Sequence, residues 1–158
     1  VQPVIPTPGH GSLPSGHATD AYFVASLLRE LLPGPSYERV DVQMRRLAYR
    51  IADNRVVAGL HFPMDSVAGC LLGDTLAAYF ASACTGKSGN ICGARFEGKK
   101  LAAGSATGPL MLDEKNGYEA FKAFAAKGGA ETCGNPSDLL KRMWTSALNE
   151  LHALGYTD

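Results

Sequence analysis

The spacing of apolar and polar residues predicts helices along most of the chain. Residues 15–32 form the first predicted helix, which is apolar nearly all round from Ala21 to Leu28, and a helix of that kind is buried inside a bundle rather than lying on its surface. Pro33 ends this helix. A second helix is predicted over residues 37–58, and a third over residues 63–82, because Pro63 suits the first turn of a helix.

The second helix has one apolar stripe, and its arginines differ in their position relative to that stripe. Arg55 continues the stripe, and a buried guanidinium needs an anionic partner because burying the charge alone costs several kcal/mol. The partner is either a structural mate, Asp20 or Asp65, or a bound anion, and the spacing does not decide between them. The stripe consists of Val40, Met44, Leu47, Ala48 and Ile51, and the arginines predicted to lie on a solvated face are Arg45, Arg46 and Arg50.

The C-terminal half gives weaker signals than the N-terminal half. Periodicity is lost over residues 84–112, where a Gly/Ala-rich loop is predicted, and a short helix is predicted at about 115–127. A last helix runs from Asn135 to about residue 154, with Trp144 as a core anchor. No strand signal of any strength is found, so the predicted fold is all-α. The predicted organisation is a core segment at 1–83, the loop at 84–112, and a helical extension at 113–158 packed on the same domain.

Composition mainly excludes classes of function. With 158 residues, 46% apolar and 19% charged, the chain is globular and of one-domain size. A formal net charge of zero gives no basic excess for binding nucleic acid. Asp65 and Asp74 interrupt the most apolar helix, so no membrane span is predicted and we expect a soluble protein.

The cysteines do not indicate a metal site. None of the four forms a C-x-x-C pair, so a zinc site is not expected. Cys70 lies in an apolar helix pattern and is predicted to be a small buried residue. Cys84, Cys92 and Cys133 lie in or beside Gly-rich stretches, and whether two of them form a disulfide is left open.

The first stretch with candidate chemistry is Pro14-Ser15-Gly16-His17. Ser15 is a good N-cap for the first helix, and the unpaired N–H groups at a helix N-terminus favour an anion. Gly16 lets the backbone approach a ligand because it has no Cβ. His17 lies one turn into the helix and can hold or give a proton. This stretch is therefore half of a predicted oxyanion site.

The second stretch runs from Arg55 to Asp65. It contains a permanent cation, Arg55, and an imidazole, His61. Asp65 follows His61 by four residues and can accept a hydrogen bond from one ring nitrogen. The other ring nitrogen would then face the pocket as a base or a nucleophile. This stretch is the predicted second half of the oxyanion site.

Together, Pro14-Ser15-Gly16-His17 and Arg55-x5-His61-x3-Asp65 resemble the second and third signature motifs of the type 2 phosphatidic acid phosphatase (PAP2) superfamily. That superfamily joins bacterial acid phosphatases, lipid phosphatases and vanadium-dependent haloperoxidases on a helical-bundle core. The resemblance covers residues 10–82.

The resemblance implies a role for each site residue. His61 is the implied nucleophile, which forms a phosphohistidine or binds vanadium axially, and Asp65 orients it. Arg55 and the backbone at Ser15 and Gly16 hold the equatorial oxygens, and His17 is the implied general acid.

Two features depart from the family pattern. The first family motif, a K-x6-R-P sequence that supplies two further cations, does not occur in the chain, and Asn54 stands where the family usually has Ser. The chain also starts at Val1 without Met. We therefore expect the C-terminal part of a longer protein, with a helical bundle incomplete at its N-terminus. Such a bundle would self-associate or pair with a complementing N-terminal segment.

Three functions are consistent with these motifs. The leading prediction is a soluble acid-phosphatase-like phosphomonoesterase, which needs no cofactor and acts on phosphate esters through His61. The first alternative is a haloperoxidase that uses vanadate with halide and peroxide as substrates. The second is a non-catalytic helical domain with an incomplete anion site. A bacterial, exported or periplasmic protein is the favoured setting, and a cytoplasmic one is also compatible with the sequence.

Overall fold

The computed structural model describes residues 6, 9, 11–32, 35–86, 90–97, 99, 125–132 and 137–156. Within these ranges the fold is predominantly helical, as predicted. A small antiparallel sheet of two strands accompanies the helices. In chain order the elements are α1 (Gly16–Leu31), α2 (Pro35–Val57), α3 (Pro63–Thr85), β1 (Asn90–Phe96), β2 (Ala125–Thr132) and α4 (Asp138–Ala153).

Helices α1 and α3 pack very closely because two glycines of α3 face α1. A Cβ atom at Gly69 would lie 2.6 Å from the carbonyl oxygen of Ser15, and one at Gly73 would lie 2.5 Å from that of Thr19. Any side chain at either position would push the helices apart. This close packing fixes the first turn of α1 against the first turns of α3.

The core consists of two clusters of buried side chains. The larger cluster lies between α1, α2 and α3 and includes Tyr22, Val67 and Cys70. The smaller cluster joins the C-terminal end of α3 to α4, where Trp144 packs with Ala81 and Cys84. The predictions of Cys70 as a buried residue and of Trp144 as a core anchor are confirmed.

Cys84 is a buried free thiol, as is Cys70. Burial raises the pKa of the Cys84 thiol, which keeps it protonated and poorly reactive. The disulfide left open by the sequence therefore does not involve Cys84. Cys133 and the side chain of Cys92 lie outside the described residues.

The prediction that Arg45 lies on a solvated face is wrong. Arg45 is only 8% exposed. Its Nε donates to Asp41 Oδ1 at 3.0 Å, and its Nη1 lies 3.7 Å from Asp74 Oδ1 of α3. The Ser26 hydroxyl of α1 donates to the same Asp74 oxygen. A cluster of charged and polar side chains therefore joins the three helices.

The buried face of α2 is rotated relative to the predicted stripe. Leu47 is 51% exposed and Val40 is exposed as well, whereas Ala48, Tyr49 and Ala52 are buried. Two alanines on the buried face let α2 lie close to its neighbours, and the aliphatic stem of Arg45 can pack there while its head pairs with carboxylates. The pattern of hydrophobic residues does not reveal that arrangement, because it assigns Arg45 to the exposed face of the helix.

Both strands lie where the sequence predicted no strand. β1 falls inside the predicted loop at 84–112, and β2 begins within the last three residues of the helix predicted at 115–127; residues 115–124 lie outside the described residues. The pairing is antiparallel, with an irregularity between Cys92 and Ala94. A Cβ atom at Gly128 would lie 2.7 Å from the carbonyl oxygen of Gly93. Glycine-rich strands of this kind have no alternating side-chain pattern, so periodicity cannot detect them.

Helix α4 begins three residues later than predicted and presents one side to the core. Leu140 and Leu148 pack beside Trp144, whereas Leu139 and Met143 are exposed. The apolar residues of α4 therefore cover a wider arc of the helix than the face that is buried. Phe96 at the end of β1 packs against the larger core cluster and attaches the sheet to the helices.

Among the described residues, one helix, α3, is long and apolar enough to cross a membrane, judged by length and composition alone. In its most apolar window, 44% of the residues are buried inside the protein. The core helices of water-soluble proteins meet the same criterion. The absence of a membrane span therefore stays a prediction.

Candidate functional site

Ser15 joins the first sequence stretch to the second. It is fully buried, and its hydroxyl accepts a hydrogen bond from the N–H of Ala18 at 3.4 Å, as an N-cap does. The N–H of Ser15 donates to the carbonyl of Asp65 at 3.0 Å. The backbone amide of Ser15 is thus engaged within the fold. Gly16, the next residue, is exposed, and nothing lies within 4 Å of where its Cβ would stand.

Gly16 and His17 are the first two residues of α1. Helix geometry leaves the N–H groups of a first turn without acceptors in the helix itself, and the helix dipole makes that end partly positive. Because Gly16 has no side chain, an anion can approach its N–H directly. The N-terminal turn of α1 is therefore suited to a negatively charged oxygen.

Asp65 lies in the first turn of α3, is 1% exposed, and faces two groups. Its Oδ2 accepts from the N–H of Phe62 at 2.9 Å and lies 3.4 Å from Nδ1 of His61. The carboxylate therefore caps α3 and holds the imidazole in one orientation. Because Nδ1 faces Asp65, Nε2 is the ring nitrogen left for a ligand. The side chain of His61 is 13% exposed, which leaves little room for water around it.

Arg55 lies in the last turn of α2 and is tied to His61 through the backbone. Its carbonyl accepts from the N–H of Leu60 at 3.0 Å and from that of His61 at 3.3 Å. Gly59, with φ of 74°, allows the sharp turn that brings His61 back to the end of α2. The turn thus places the cation and the imidazole at the same end of the helix.

The Nε of Arg55 is buried and has no hydrogen-bond partner among the described residues. A structural ion pair with Asp65 is not formed, since that carboxylate faces His61 and Phe62 instead. No ion pair with Asp20 is found in the described part of the chain either. A buried donor without a partner is unusual in proteins and is satisfied well by an anion. This observation favours the ligand interpretation of Arg55 that the sequence left open.

His17 stands apart from this group. It lies on the exposed side of the first turn of α1, and no hydrogen bond or ion pair within the described ranges joins it to His61, Arg55 or Asp65. Instead it lines an open cavity of about 330 Å³ between α1 and α2, together with Asp20. From the sequence, Asp20 was a candidate only as an ion-pair partner of Arg55. Its spacing of three residues from His17 was the available signal, because residues three apart share one face of a helix.

The six predicted site residues therefore divide into two groups. Ser15, Asp65, His61 and Arg55 are connected by hydrogen bonds, directly or through the turn at residues 59–61. Gly16 and His17 continue from Ser15 along the first turn of α1, and His17 faces the cavity. In chemical terms, the arrangement offers an oriented imidazole, a guanidinium and helix amides for a tetrahedral oxyanion.

Comparison with known families gives a match to the PAP2 superfamily over residues 2–88, a range that contains all six of these residues. Searches of curated proteins and of solved structures gave no match.

Proposed function

Because the chain belongs to the PAP2 superfamily, whose members are generally phosphatases, we propose that it is an acid-phosphatase-like phosphomonoesterase that acts through a phosphohistidine at His61. The observation that carries the proposal is the Nε of Arg55, which is buried and has no partner among the described residues. It lies at the end of α2 to which the backbone ties His61, an imidazole oriented by Asp65. A guanidinium and a nucleophile in that arrangement suit a phosphate monoester.

In the proposed reaction, Nε2 of His61 attacks phosphorus and the bond to the ester oxygen breaks. The leaving alcohol takes a proton from His17, and the phosphoryl group stays on His61 as a phosphohistidine. Water then attacks phosphorus, the bond to Nε2 breaks, and phosphate is released while His17 regains a proton from that water. Asp65 keeps the ring of His61 in position through both steps. A positioned proton donor such as His17 contributes roughly 10²–10⁴-fold to the rate.

Charge on the three equatorial oxygens is the main quantity that the site must stabilise. Arg55 supplies a permanent cation, and Gly16 supplies a backbone N–H at a helix N-terminus. Fixed donors and dipoles of this kind need no reorganisation during the reaction. In this proposal Ser15 acts mainly by capping α1 and holding its first turn against Asp65, since its own N–H is already engaged.

The test is a calorimetric titration of orthovanadate into the chain, beside the variants His61→Ala and His152→Ala. Vanadate adopts the trigonal-bipyramidal arrangement of phosphoryl transfer and therefore probes the whole site. His152 is exposed on α4 and serves as the matched control. We expect saturable one-site binding in the wild-type chain and in His152→Ala, and loss of that binding in His61→Ala. Equal binding in all three chains would contradict the proposal.

Two assays then separate phosphatase from peroxidase chemistry. With p-nitrophenyl phosphate, the proposal expects release of nitrophenol and an acid-labile phosphoprotein that His61→Ala does not form. Peroxide-dependent bromination by the vanadate-loaded chain, without phosphatase activity, would instead favour the haloperoxidase alternative and overturn the proposed activity.

A further inference from the structure

The cavity beside His17 has apolar walls on both sides. On α1 it is lined by Ala21, Val24 and Ala25 in addition to His17 and Asp20. A cavity of about 330 Å³ is within the usual range for small-molecule sites. Its size and its lining on this side suit a compact apolar group.

The wall contributed by α2 is apolar throughout, with Met44, Leu47, Ala48 and Ile51 facing the cavity. Three residues separate the end of α1 from the start of α2, and so short a connection makes the two helices antiparallel neighbours. The N-terminal turn of α1, with His17, therefore lies toward the C-terminal turns of α2, where Ile51 is followed one turn later by Arg55. The His17 end of the cavity is therefore the end that lies toward the part of α2 that carries Arg55.

Asp20 adds a charge to the cavity one helical turn along from His17, a distance of roughly 5 Å. Apart from His17, it is the one titratable group among the described residues that line the cavity. Asp20 is exposed, and no ion pair holds it within the described ranges. A carboxylate at that position repels an anionic group on a ligand and attracts a cationic one. The cavity therefore discriminates by charge as well as by polarity.

We propose that the cavity between α1 and α2 is the leaving-group subsite, and that it takes a compact apolar group, such as a phenyl ring, with a neutral or cationic substituent about one helical turn from the ester oxygen. The inference rests on the proposed phosphatase function. It makes Leu47 and Asp20 determinants of specificity: Leu47 for the apolar ring and Asp20 against negative charge.

The test compares the affinities of four phosphonates, which the enzyme does not hydrolyse: methylphosphonate, phenylphosphonate, 4-carboxyphenylphosphonate and 4-(aminomethyl)phenylphosphonate. In the wild-type chain, burial of the ring should make phenylphosphonate bind about tenfold more tightly than methylphosphonate. The aminomethyl compound should bind at least as well as phenylphosphonate, and the carboxy compound about threefold more weakly.

Two pairs of variants locate the effect. Leu47→Ser should lower the ratio of phenyl to methyl affinity about threefold or more, whereas Leu76→Ser should leave it unchanged. Both leucines are about half exposed, but Leu76 lies on α3 outside the cavity. Asp20→Asn should abolish the penalty on the carboxy compound, whereas Glu30→Gln, an exposed carboxylate on the same helix, should not.

Failure of this inference is distinguishable from failure of the proposed function. If vanadate binds but phenylphosphonate binds no better than methylphosphonate, or if Leu47→Ser and Leu76→Ser behave alike, the subsite is wrong and the anion site stands. If neither vanadate nor any phosphonate binds, the proposed function fails and the subsite with it.

Discussion

The two seams that helix α3 makes with its neighbours are built differently. At its N-terminal end, α3 meets α1 through bare backbone: Gly69 touches the carbonyl of Ser15, and the N–H of Ser15 bonds to Asp65. At its C-terminal end, α3 meets α4 through side chains around Trp144. Backbone contact fixes relative position to a few tenths of an ångström, whereas a side-chain cluster can adjust by changing rotamers. The predicted site residues all lie at the first seam or next to it.

We therefore expect the first seam to position the proposed site and the second seam mainly to contribute stability. The largest expected effect comes from Gly69→Ala, because the added Cβ would stand 2.6 Å from a backbone oxygen that cannot move away alone. We expect a loss of about 3 kcal/mol in unfolding free energy. We also expect vanadate affinity to fall by at least about tenfold, since the first turn of α1 is displaced from Asp65. Urea unfolding and calorimetry measure the two effects.

The control for that substitution is Gly129→Ala in β2, where nothing lies within 4 Å of the added Cβ. It should leave vanadate affinity unchanged. If Gly69→Ala binds vanadate as well as Gly129→Ala does, the close contact of α1 and α3 does not position the site.

Trp144→Ala should lower stability by a comparable amount and spare the site. Removing a buried Trp leaves a cavity and costs about 3 kcal/mol. Below the unfolding transition, vanadate affinity should stay within about twofold of the wild-type value. Met143→Ala, at an exposed position on the same helix, should change stability by less than about 0.5 kcal/mol. A loss of anion binding in folded Trp144→Ala would show that the second seam also positions the site.

The difference between backbone contacts and side-chain contacts also explains how much of each region could be predicted from the sequence. The helices beside the site were predicted within three residues at each end, because capping residues and Pro63 mark where they begin. The role of Arg45 was missed, since its carboxylate partners lie on two different helices and only the fold brings Asp74 to it. The strands were missed because they contain glycines, such as Gly93 and Gly128, whose backbones approach each other closely and which give no alternating side-chain pattern.

In the site, the sequence predicted which residue types serve the chemistry but not all of their contacts. The pairing of His61 with Asp65 follows from their spacing at the start of a helix. The hydrogen bond from the Ser15 N–H to the Asp65 carbonyl does not follow from the sequence, because it depends on how closely α1 approaches α3. That no hydrogen bond joins His17 to His61, Arg55 or Asp65 in the described part of the chain also became visible only in the fold.

The smallest expected effect concerns Asp53, a half-buried carboxyl of α2 two residues before Arg55. Burial raises the pKa of Asp53 above its usual value of 3.8. The folded state therefore binds the proton more tightly than the unfolded state, so the contribution of this group to stability falls as pH rises from about 3.8 through its folded-state pKa. Asp53→Asn should remove that fall and be slightly more stable than wild type at pH 7.

Urea unfolding at a series of pH values checks this prediction, with Glu150→Gln, an exposed carboxylate of α4, as the control. The gain from Asp53→Asn should shrink toward zero below about pH 3.8. A gain that grows on acidification would have the wrong sign. Vanadate affinity of Asp53→Asn at pH 7 should be unchanged, which would show that this carboxyl takes no part in anion binding at the neighbouring site.

The central claim is that Arg55, whose Nε is buried and has no partner among the described residues, binds an oxyanion rather than stabilising the fold. The most direct measurement is calorimetric titration of orthovanadate into the wild-type chain, Arg55→Gln and Arg50→Gln, the last being an exposed arginine of the same helix. We predict one-site binding in wild type and Arg50→Gln, and binding weaker by about tenfold or more in Arg55→Gln, because a charge-assisted hydrogen bond is lost. Equal vanadate affinity in all three chains would contradict the account.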